Sequence, residues 1–494
     1  MAARILGRGP RAVLSALRGP ALRPSACCPA SHNSLAGLNG RRLSSQLSPG
    51  VQDEKSLGSV TEGDKLTAAG HNIVDFDRVR QREGVKEAVD VSGGMAGYKA
   101  LFSDFGVSFY QQDGRSAGAI RRLLPNTWLR DNCRCPECVN QETMQRSFNI
   151  LTSPLPTPPP LEVQLEQHGV RVTWTHERHE SFYDWAFITR YLGANARPKP
   201  LREPRLWGAE IKQDPPTVTY GEVMDSEGGM GKMTSLIMEF GLVFVEDTPF
   251  DDSIHTKKLL ERIGPIRETH YGGFYDFIPD MAKADTAYTN IALAAHTDTT
   301  YFTDPAGLQA FHLLSHMPSP DEPDATGGES LLVDGFHAAK VLRESSWTYF
   351  NKLSRTTVPW HASGNEGVTI TPETHFPVLK LAFDGESMSL VRWNADDRGV
   401  LPLMSPNTDK KQGMRWYTAA AKWEEILRSK ELEYRFQLKP GTTVILNNHR
   451  VLHGRTAFTG LRRICGGYIS MDDFLSRWRN SNLPREEVLA QVIG

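Results

Sequence analysis

The stretch AHTDTTYF, residues 295–302, and the stretch ILNNHRVLHGR, residues 445–455, constrain this chain more than any other feature. In the first, His296 and Asp298 stand two positions apart, a spacing that puts both side chains on one face of an extended strand. The second follows an apolar, strand-like run and carries His449 and His453. Two imidazoles and one carboxylate on one side of a metal, with the opposite positions open, make the facial ligand set of a non-haem Fe(II) site. For a histidine of the second stretch to join His296 and Asp298, strands remote in sequence have to lie side by side. The spacing leaves open whether His449 or His453 takes part.

The surrounding pattern supplies such strands. Over residues 205–494, GGMGKMTSLIMEFG and IHTKKLLERIG have helical spacing, whereas TGGESLLVDGF, FPVLKLAF, MSLVRW and TTVILNN read as strands bounded by Gly, Pro, Asn or Asp. Many short strands with a few long helices predict a mainly β, α+β architecture in which a distorted double-sheet barrel carries flanking helices. A first folded unit is expected over residues 96–200, where GVSFY and VQLEQHGVRVTW alternate and TSPLPTPPP is a Pro-rich loop. The connector NARPKPLREP, residues 195–204, marks its end, and residues 53–95, polar and rich in Gly, Asp and Glu, read as a linker or disordered segment.

Three of the six cysteines are bunched as CRCPEC: Cys133, Cys135 and Cys138. Three thiolates this close converge readily on one soft cation, and Zn(II) then needs a single further ligand to close a tetrahedron. WTHERHESFYDW, residues 174–185, offers His176 and His179 on a strand-turn. Four protein ligands leave no open position, so such a site would be structural.

Charge is distributed unevenly. Residues 1–52 hold seven arginines and no acid, with many Ser and Ala, which is the composition of a mitochondrial transit peptide; RRLSS, residues 41–45, suits a processing region. The whole chain carries a formal charge of −2 over 494 residues, so the remainder is distinctly acidic. An acidic body argues against a nucleic-acid partner and suits a cationic ligand. No apolar run approaches the ~18–20 residues that a membrane span requires.

In the order WLRDNCRCPEC, PRLWGAEI, RIGPIRETHYG, DTAYTN, HTDTTYF, GGESLLVDGF, RVLHGR and GLRRICGGY, blocks spread over roughly residues 115–480 make the chain resemble the 2-oxoglutarate- and Fe(II)-dependent dioxygenases of carnitine biosynthesis, the γ-butyrobetaine/trimethyllysine dioxygenase family. The resemblance implies a double-stranded β-helix (jelly-roll) catalytic domain and a small N-terminal zinc-binding β domain. It implies iron on His296, Asp298 and His453, with His449 at a place where the family often has Trp. It further implies 2-oxoglutarate held by Arg462, beside Arg463, with Ser330 on the same carboxylate, and it favours His179 over His176 as the fourth zinc ligand.

For the substrate, the resemblance implies an aromatic cage of Tyr271, Tyr275 and Tyr288 around a quaternary ammonium, Asp285 and Asn394 at an amino-acid end, and Tyr301 and Tyr468 completing the pocket. DTAYTN and HTDTTYF favour trimethyllysine over γ-butyrobetaine as the molecule hydroxylated. The expected reaction takes O2 and 2-oxoglutarate, with ascorbate keeping the iron ferrous, and gives C3-hydroxylated product, succinate and CO2 in the mitochondrial matrix. The partners expected are small molecules, with a homodimer compatible. The rival readings are a γ-butyrobetaine dioxygenase and a zinc-containing binding protein without iron.

Overall fold

Alternating burial builds the N-terminal sheets. In Pro160–Leu165 and Gly169–Trp174, Val163, Leu165, Val170, Val172 and Trp174 are buried while the residues between them are less covered, the period-2 pattern of a sheet with one face in a core. In this computed structural model the described residues are 65–66, 72–74, 76–92, 97–112, 119–176, 178–192, 203–278, 289–320, 323–401 and 412–492. The segment read as a transit peptide lies outside them, as do Asp285 and Tyr288.

Two sheets occupy the N-terminal region. One runs Lys65–Leu66, Asn72–Val74, Ala119–Pro125, Gly106–Gln112, Tyr98–Phe102, Lys86–Glu87; the other runs Glu180–Asp184, Gly169–Trp174, Pro160–Leu165, Val89–Asp90. Phe102, Phe109 and Leu124 from the first meet Val163, Val172 and Trp174 from the second in one buried cluster. Residues 86–90 supply an edge strand to each sheet. Folded structure therefore reaches back into the segment read as a linker.

The C-terminal region is mixed α and β. A larger sheet has the order Thr217–Thr219, Leu242–Glu246, Thr443–Asn447, Leu308–Met317, Leu461–Ile469, Tyr275–Phe277, and a smaller one the order Leu293–His296, Val451–Arg455, Ser330–Asp334, Tyr434–Phe436. Leu242, Phe244, Leu313, Val444 and Leu446 of the larger sheet pack with Leu332, Tyr434 and Val451 of the smaller one. The helices lie outside: Glu227–Phe240, Ile254–Ile263 and Met471–Asn482 bury Met230, Met233, Ile237, Leu259, Leu260, Phe474 and Trp478 with the larger sheet. Gly335–Ser345, Trp347–Arg355 and Gln412–Leu427 form a second layer around Trp360, Trp416 and Trp423.

One buried ion pair ties these layers together. Arg450 donates from Nη2 to Asp334 Oδ2 at 2.7 Å and from Nε to Oδ1 at 3.0 Å, and both side chains are essentially inaccessible. The remaining guanidinium donors reach the carbonyls of Glu239 and Arg205, while Asp334 also caps Gly335–Ser345 by accepting from Phe336 N–H. Arg450 immediately precedes Val451–Arg455, so these bonds fix the strand that carries His453 to its neighbours at its start.

Candidate active site

His296 ends its strand, and Asp298 lies beyond it in the following turn. Strand alternation therefore does not align the pair, which corrects the sequence-based expectation. Loop hydrogen bonds do so instead. Thr297 N–H donates to the Trp393 carbonyl at 2.7 Å, and Trp393 N–H donates to Thr297 Oγ1 at 3.0 Å. Asp298 N–H donates to Asn448 Oδ1 at 2.8 Å, and the Asn448 amide donates to the carbonyls of Asp298 and Ala306, both at 3.0 Å. Thr299 then turns the chain with φ 56°, a left-handed conformation that L side chains seldom adopt.

His453 stands in the middle of the smaller sheet, register partner of His296 on one side and of Leu332 on the other. Asp298 Oδ1 is 3.2 Å from His296 Nε2 and 3.8 Å from His453 Nε2, and the three donor atoms all lie within 4.8 Å of one another. Neighbouring ligands on an octahedral ion with bonds of about 2.1 Å stand about 3.0 Å apart, so the donor set fits a single first-row metal. The second oxygen of Asp298 accepts from Gln309 Nε2 and, at 2.7 Å, from Tyr468 Oη.

Electrostatics favour the ionised form of Asp298 and the neutral form of His453, the forms that bind a metal, and link His296 to Asp298. Burial alone would raise the Asp298 pKa, but the hydrogen bond from His296 and the nearby His453 hold the carboxyl well below its ordinary range. Burial works against charge on His296 too and is outweighed by Asp298, so its pKa is raised. Burial and neighbouring His296 push His453 down to about 3. His296 donates from Nδ1 to the Ala294 carbonyl at 2.8 Å, leaving Nε2 as the ligand atom. His449 is turned elsewhere, its Nε2 3.2 Å from the Pro305 carbonyl.

A cavity of about 520 Å³ opens over this cluster. Arg462 and Arg455 line one wall, both nine-tenths or more buried, and Ser330 is register partner of Arg455. Burial lowers both guanidinium pKa values to about 10, and Arg462 Nε is buried with no hydrogen-bond partner among the described residues. Arg462, a buried cation that meets no acid among the described residues, suits a dicarboxylate cosubstrate gripped in the bidentate manner. Arg463, one residue on, faces the other way and pairs with Asp276 at 2.6 Å; alternation along Leu461–Ile469 separates the two.

Tyr271, Tyr275, Tyr301, Tyr468 and Asn394 line the same cavity. Tyr275 and Tyr468 have ring centroids 6.1 Å apart, and Tyr271 and Tyr301 both contact the His270 ring. Tyr275 Oη donates to the Ala310 carbonyl at 2.8 Å, which fixes its ring against the larger sheet. Gln309, Asn448 and Arg455 were not singled out from the sequence. Arg455 sits inside the quoted HGR, but nothing local distinguishes Gln309 or Asn448 from other polar residues.

The cysteine cluster forms a second site. His179 Nε2 is 3.4, 3.6 and 3.5 Å from the Sγ atoms of Cys133, Cys135 and Cys138. Tetrahedral Zn(II), with Zn–S of about 2.3 Å and Zn–N of about 2.0–2.1 Å, sets that edge at about 3.5 Å. His176 is exposed and not part of the group. Arg130 donates to Cys138 Sγ at 3.2 Å, and Glu137 lies 3.2 Å from His179 Nδ1, so both ligand types have outer partners. Without a metal, burial raises the Cys133 thiol and pushes Cys138 up to about 12.

Comparison with known proteins agrees with this geometry. Residues 197–468, more than half of the chain, match the family described as Taurine catabolism dioxygenase TauD, TfdA, and residues 113–189 match Gamma-butyrobetaine hydroxylase-like, N-terminal. Trimethyllysine dioxygenase of Neurospora crassa is 52% identical over 403 residues, covering 76% of this chain and 84% of that protein. The chain belongs to the trimethyllysine dioxygenase family. The relative of that name in Meyerozyma guilliermondii is 38% identical, covering 76% of this chain and 94% of its own. The human relative, named as mitochondrial, is 36% identical over 71% of this chain and 81% of its own length. Membership makes the protein a dioxygenase, and among the described residues no helix is long and apolar enough to cross a membrane.

Proposed function

We propose that this protein hydroxylates trimethyllysine at C3 in the mitochondrial matrix, with O2 and 2-oxoglutarate as cosubstrates and succinate and CO2 as coproducts, the first step of carnitine biosynthesis. The observation that carries the reading is the convergence of His296, Asp298 and His453 beside a buried Arg462 that meets no acid among the described residues, in one cavity, in a chain 52% identical to a trimethyllysine dioxygenase over 403 residues. The two facing C-terminal sheets form the distorted double-stranded β-helix of residues 205–494. Residues 96–200 form a zinc-binding domain around Cys133, Cys135, Cys138 and His179, and residues 1–52 direct import.

His296, Asp298 and His453 would hold Fe(II), which would supply the oxidative decarboxylation of 2-oxoglutarate and the hydroxylation of an unactivated C–H bond coupled to it. The protein positions and shields. Arg462 and Ser330 hold the distal carboxylate of 2-oxoglutarate. Gln309 and Tyr468 hold Asp298 in one orientation. Tyr271, Tyr275 and Tyr301 offer ring faces to a trimethylammonium group, which donates no hydrogen bonds and is recognised by cation–π attraction worth about 0.5–2 kcal/mol for each desolvated ring. Asn394 serves the amino-acid end. Fixing the C3 carbon on the side of the cavity that carries His296, Asp298 and His453 would accelerate the reaction by orientation.

The test is turnover. Protein loaded with Fe(II) and ascorbate, given trimethyllysine and 2-oxoglutarate, should form succinate and a product heavier by one oxygen, with γ-butyrobetaine turned over poorly. Equal turnover of the two substrates would show that the sibling activity has been missed.

A further inference from the structure

The segment that carries Asp298 runs through the interior without regular structure. Residues 297–307 form neither helix nor strand, yet Thr297, Thr299, Thr300 and Tyr301 are buried. Backbone carbonyls buried outside a helix or a sheet still need donors. Arg392 supplies three of them. It follows the strand Met388–Val391 and is 3% exposed. Its Nη1 donates to the carbonyls of Thr300 and, at 2.6 Å, of Phe302, while Nη2 donates to the Thr303 carbonyl at 3.3 Å. The guanidinium lies over the Phe376 ring, 4.4 Å from its centroid. Burial lowers its pKa to about 10, which still leaves it a cation at neutral pH.

The residue after Arg392 acts on the same segment. Trp393 accepts from Thr297 N–H through its carbonyl and donates from its own N–H to Thr297 Oγ1. Asp298 is therefore gripped from both sides, at Thr297 before it and at residues 300–303 after it. Between the two grips Thr299 holds φ 56°, a strained conformation that persists only where its surroundings over-determine it. Tyr301, which lines the cavity, falls inside the Arg392 grip. A metal ligand and a wall of the substrate cavity thus share one clamp. We propose that Arg392 is a positioning residue that sets Asp298 and Tyr301 in one fixed relation, and so keeps consumption of 2-oxoglutarate coupled to hydroxylation; this rests on the dioxygenase reading of the cavity. Such coupling needs the reacting C–H bond and the metal ligands aligned closely, since small displacements at a reacting centre cost large factors in rate. A planar fork of donors meets three converging carbonyls in a way that the point charge of a lysine does not.

The experiment uses the full chain as wild type, Arg392→Met and Arg392→Lys, each held well below its thermal midpoint so that the folded fraction is the same. One arm titrates Mn(II), a hard ion that the thiolate cluster takes poorly, and reads the free ion by electron paramagnetic resonance. The other supplies Fe(II), ascorbate, trimethyllysine and 2-oxoglutarate, and measures succinate against hydroxylated product. Arg392→Met should weaken Mn(II) binding about ten- to a hundredfold and form succinate in excess of product, where wild type forms the two in equal amounts. Arg392→Lys, which keeps the charge but not the fork, should keep a thermal midpoint near that of wild type and show both changes to a smaller degree. The lysine variant therefore decides the matter if the methionine variant does not fold. Wild-type Mn(II) affinity, or equal amounts of succinate and product, in the folded variants would overturn the proposal and leave Arg392 a support of the fold alone. A wild type that hydroxylates no trimethyllysine overturns the parent reading instead, and the Mn(II) arm still tests the clamp.

Discussion

His449 and His453 are one helical turn apart in spacing and would be hard to rank by chemistry alone, yet their surroundings assign them different work. His453 shares a register with His296, while His449 is bonded to the Pro305 carbonyl away from the cluster. Iron content and succinate formation should both be lost in His453→Ala and retained in His449→Ala, as metal analysis and a coupled assay will read. The two arginines behave in the same way. Arg462→Met removes charge-assisted hydrogen bonds worth about 1.5–3 kcal/mol, so KM for 2-oxoglutarate should rise roughly ten- to a hundredfold. Arg463→Met should leave it nearly unchanged, because Arg463 is half-exposed and paired with Asp276. Equal effects in the two variants would mean that the two faces of the strand do not separate their roles, and a larger effect in Arg463→Met would reverse the assignment.

At the scale of elements, the site depends on a few fixed junctions between strands, helices and turns. Asp334 joins a helix cap to the Arg450 ion pair at the head of the His453 strand. Asp334→Asn strands a buried guanidinium, which costs about 3–5 kcal/mol, and the thermal midpoint should fall by several degrees even with metal bound. Calorimetry checks this; a midpoint unchanged within error would show that the pair is compensated elsewhere. Which elements exist was largely legible in the sequence: the helices over 227–240 and 254–263, and the strands at 330–334 and 443–447, all follow from period and flanking turn residues. The turn that holds Asp298 was not, since it is set by Asn448 and Trp393, remote in sequence and without local signature.

Two predictions concern the whole molecule. Zinc at the cysteine cluster would tie the helix-turn after Ala119–Pro125 to the hairpin of Gly169–Trp174 and Glu180–Asp184, the two sheets of the N-terminal region. Chelation, or Cys135→Ser, should therefore lower the midpoint of unfolding, and elemental analysis of iron-stripped protein should find about one zinc per chain; its absence would sink the site. Acid should act through His312, wholly buried between Thr256 Oγ1, 2.7 Å away, and Gly441 N–H, 3.3 Å away. Burial lowers its pKa to about 4, against about 6.5 in an unfolded chain. Between those values the unfolded chain takes up a proton that the folded one refuses, so stability present above pH ~6.5 is lost towards pH ~4, by on the order of 1 kcal/mol per unit. Denaturant midpoints from pH 7 to pH 5 should fall less steeply in His312→Asn; identical slopes would remove His312 from the account.

What residue types and their order determined by themselves were the kinds of donor present: two imidazoles and a carboxylate of the sort that suits iron, three clustered thiols of the sort that suits zinc, and arginines after the last histidine. Such features are local, because ligand identity is written in single residues and short spacings. Which neighbour meets which group is a matter of tertiary structure, and for the histidines and arginines it agrees with what the family resemblance implies. His179 rather than His176, Arg462 rather than Arg463, and the approach of Asp298 to His296 each depend on which way a backbone faces when distant strands pair. The same holds for Gln309 and Asn448, ordinary polar residues until strands and turns remote in sequence bring them to Asp298. Pairing register is a property of the whole sheet, settled by the burial of many apolar side chains at once, and no short stretch of sequence contains it.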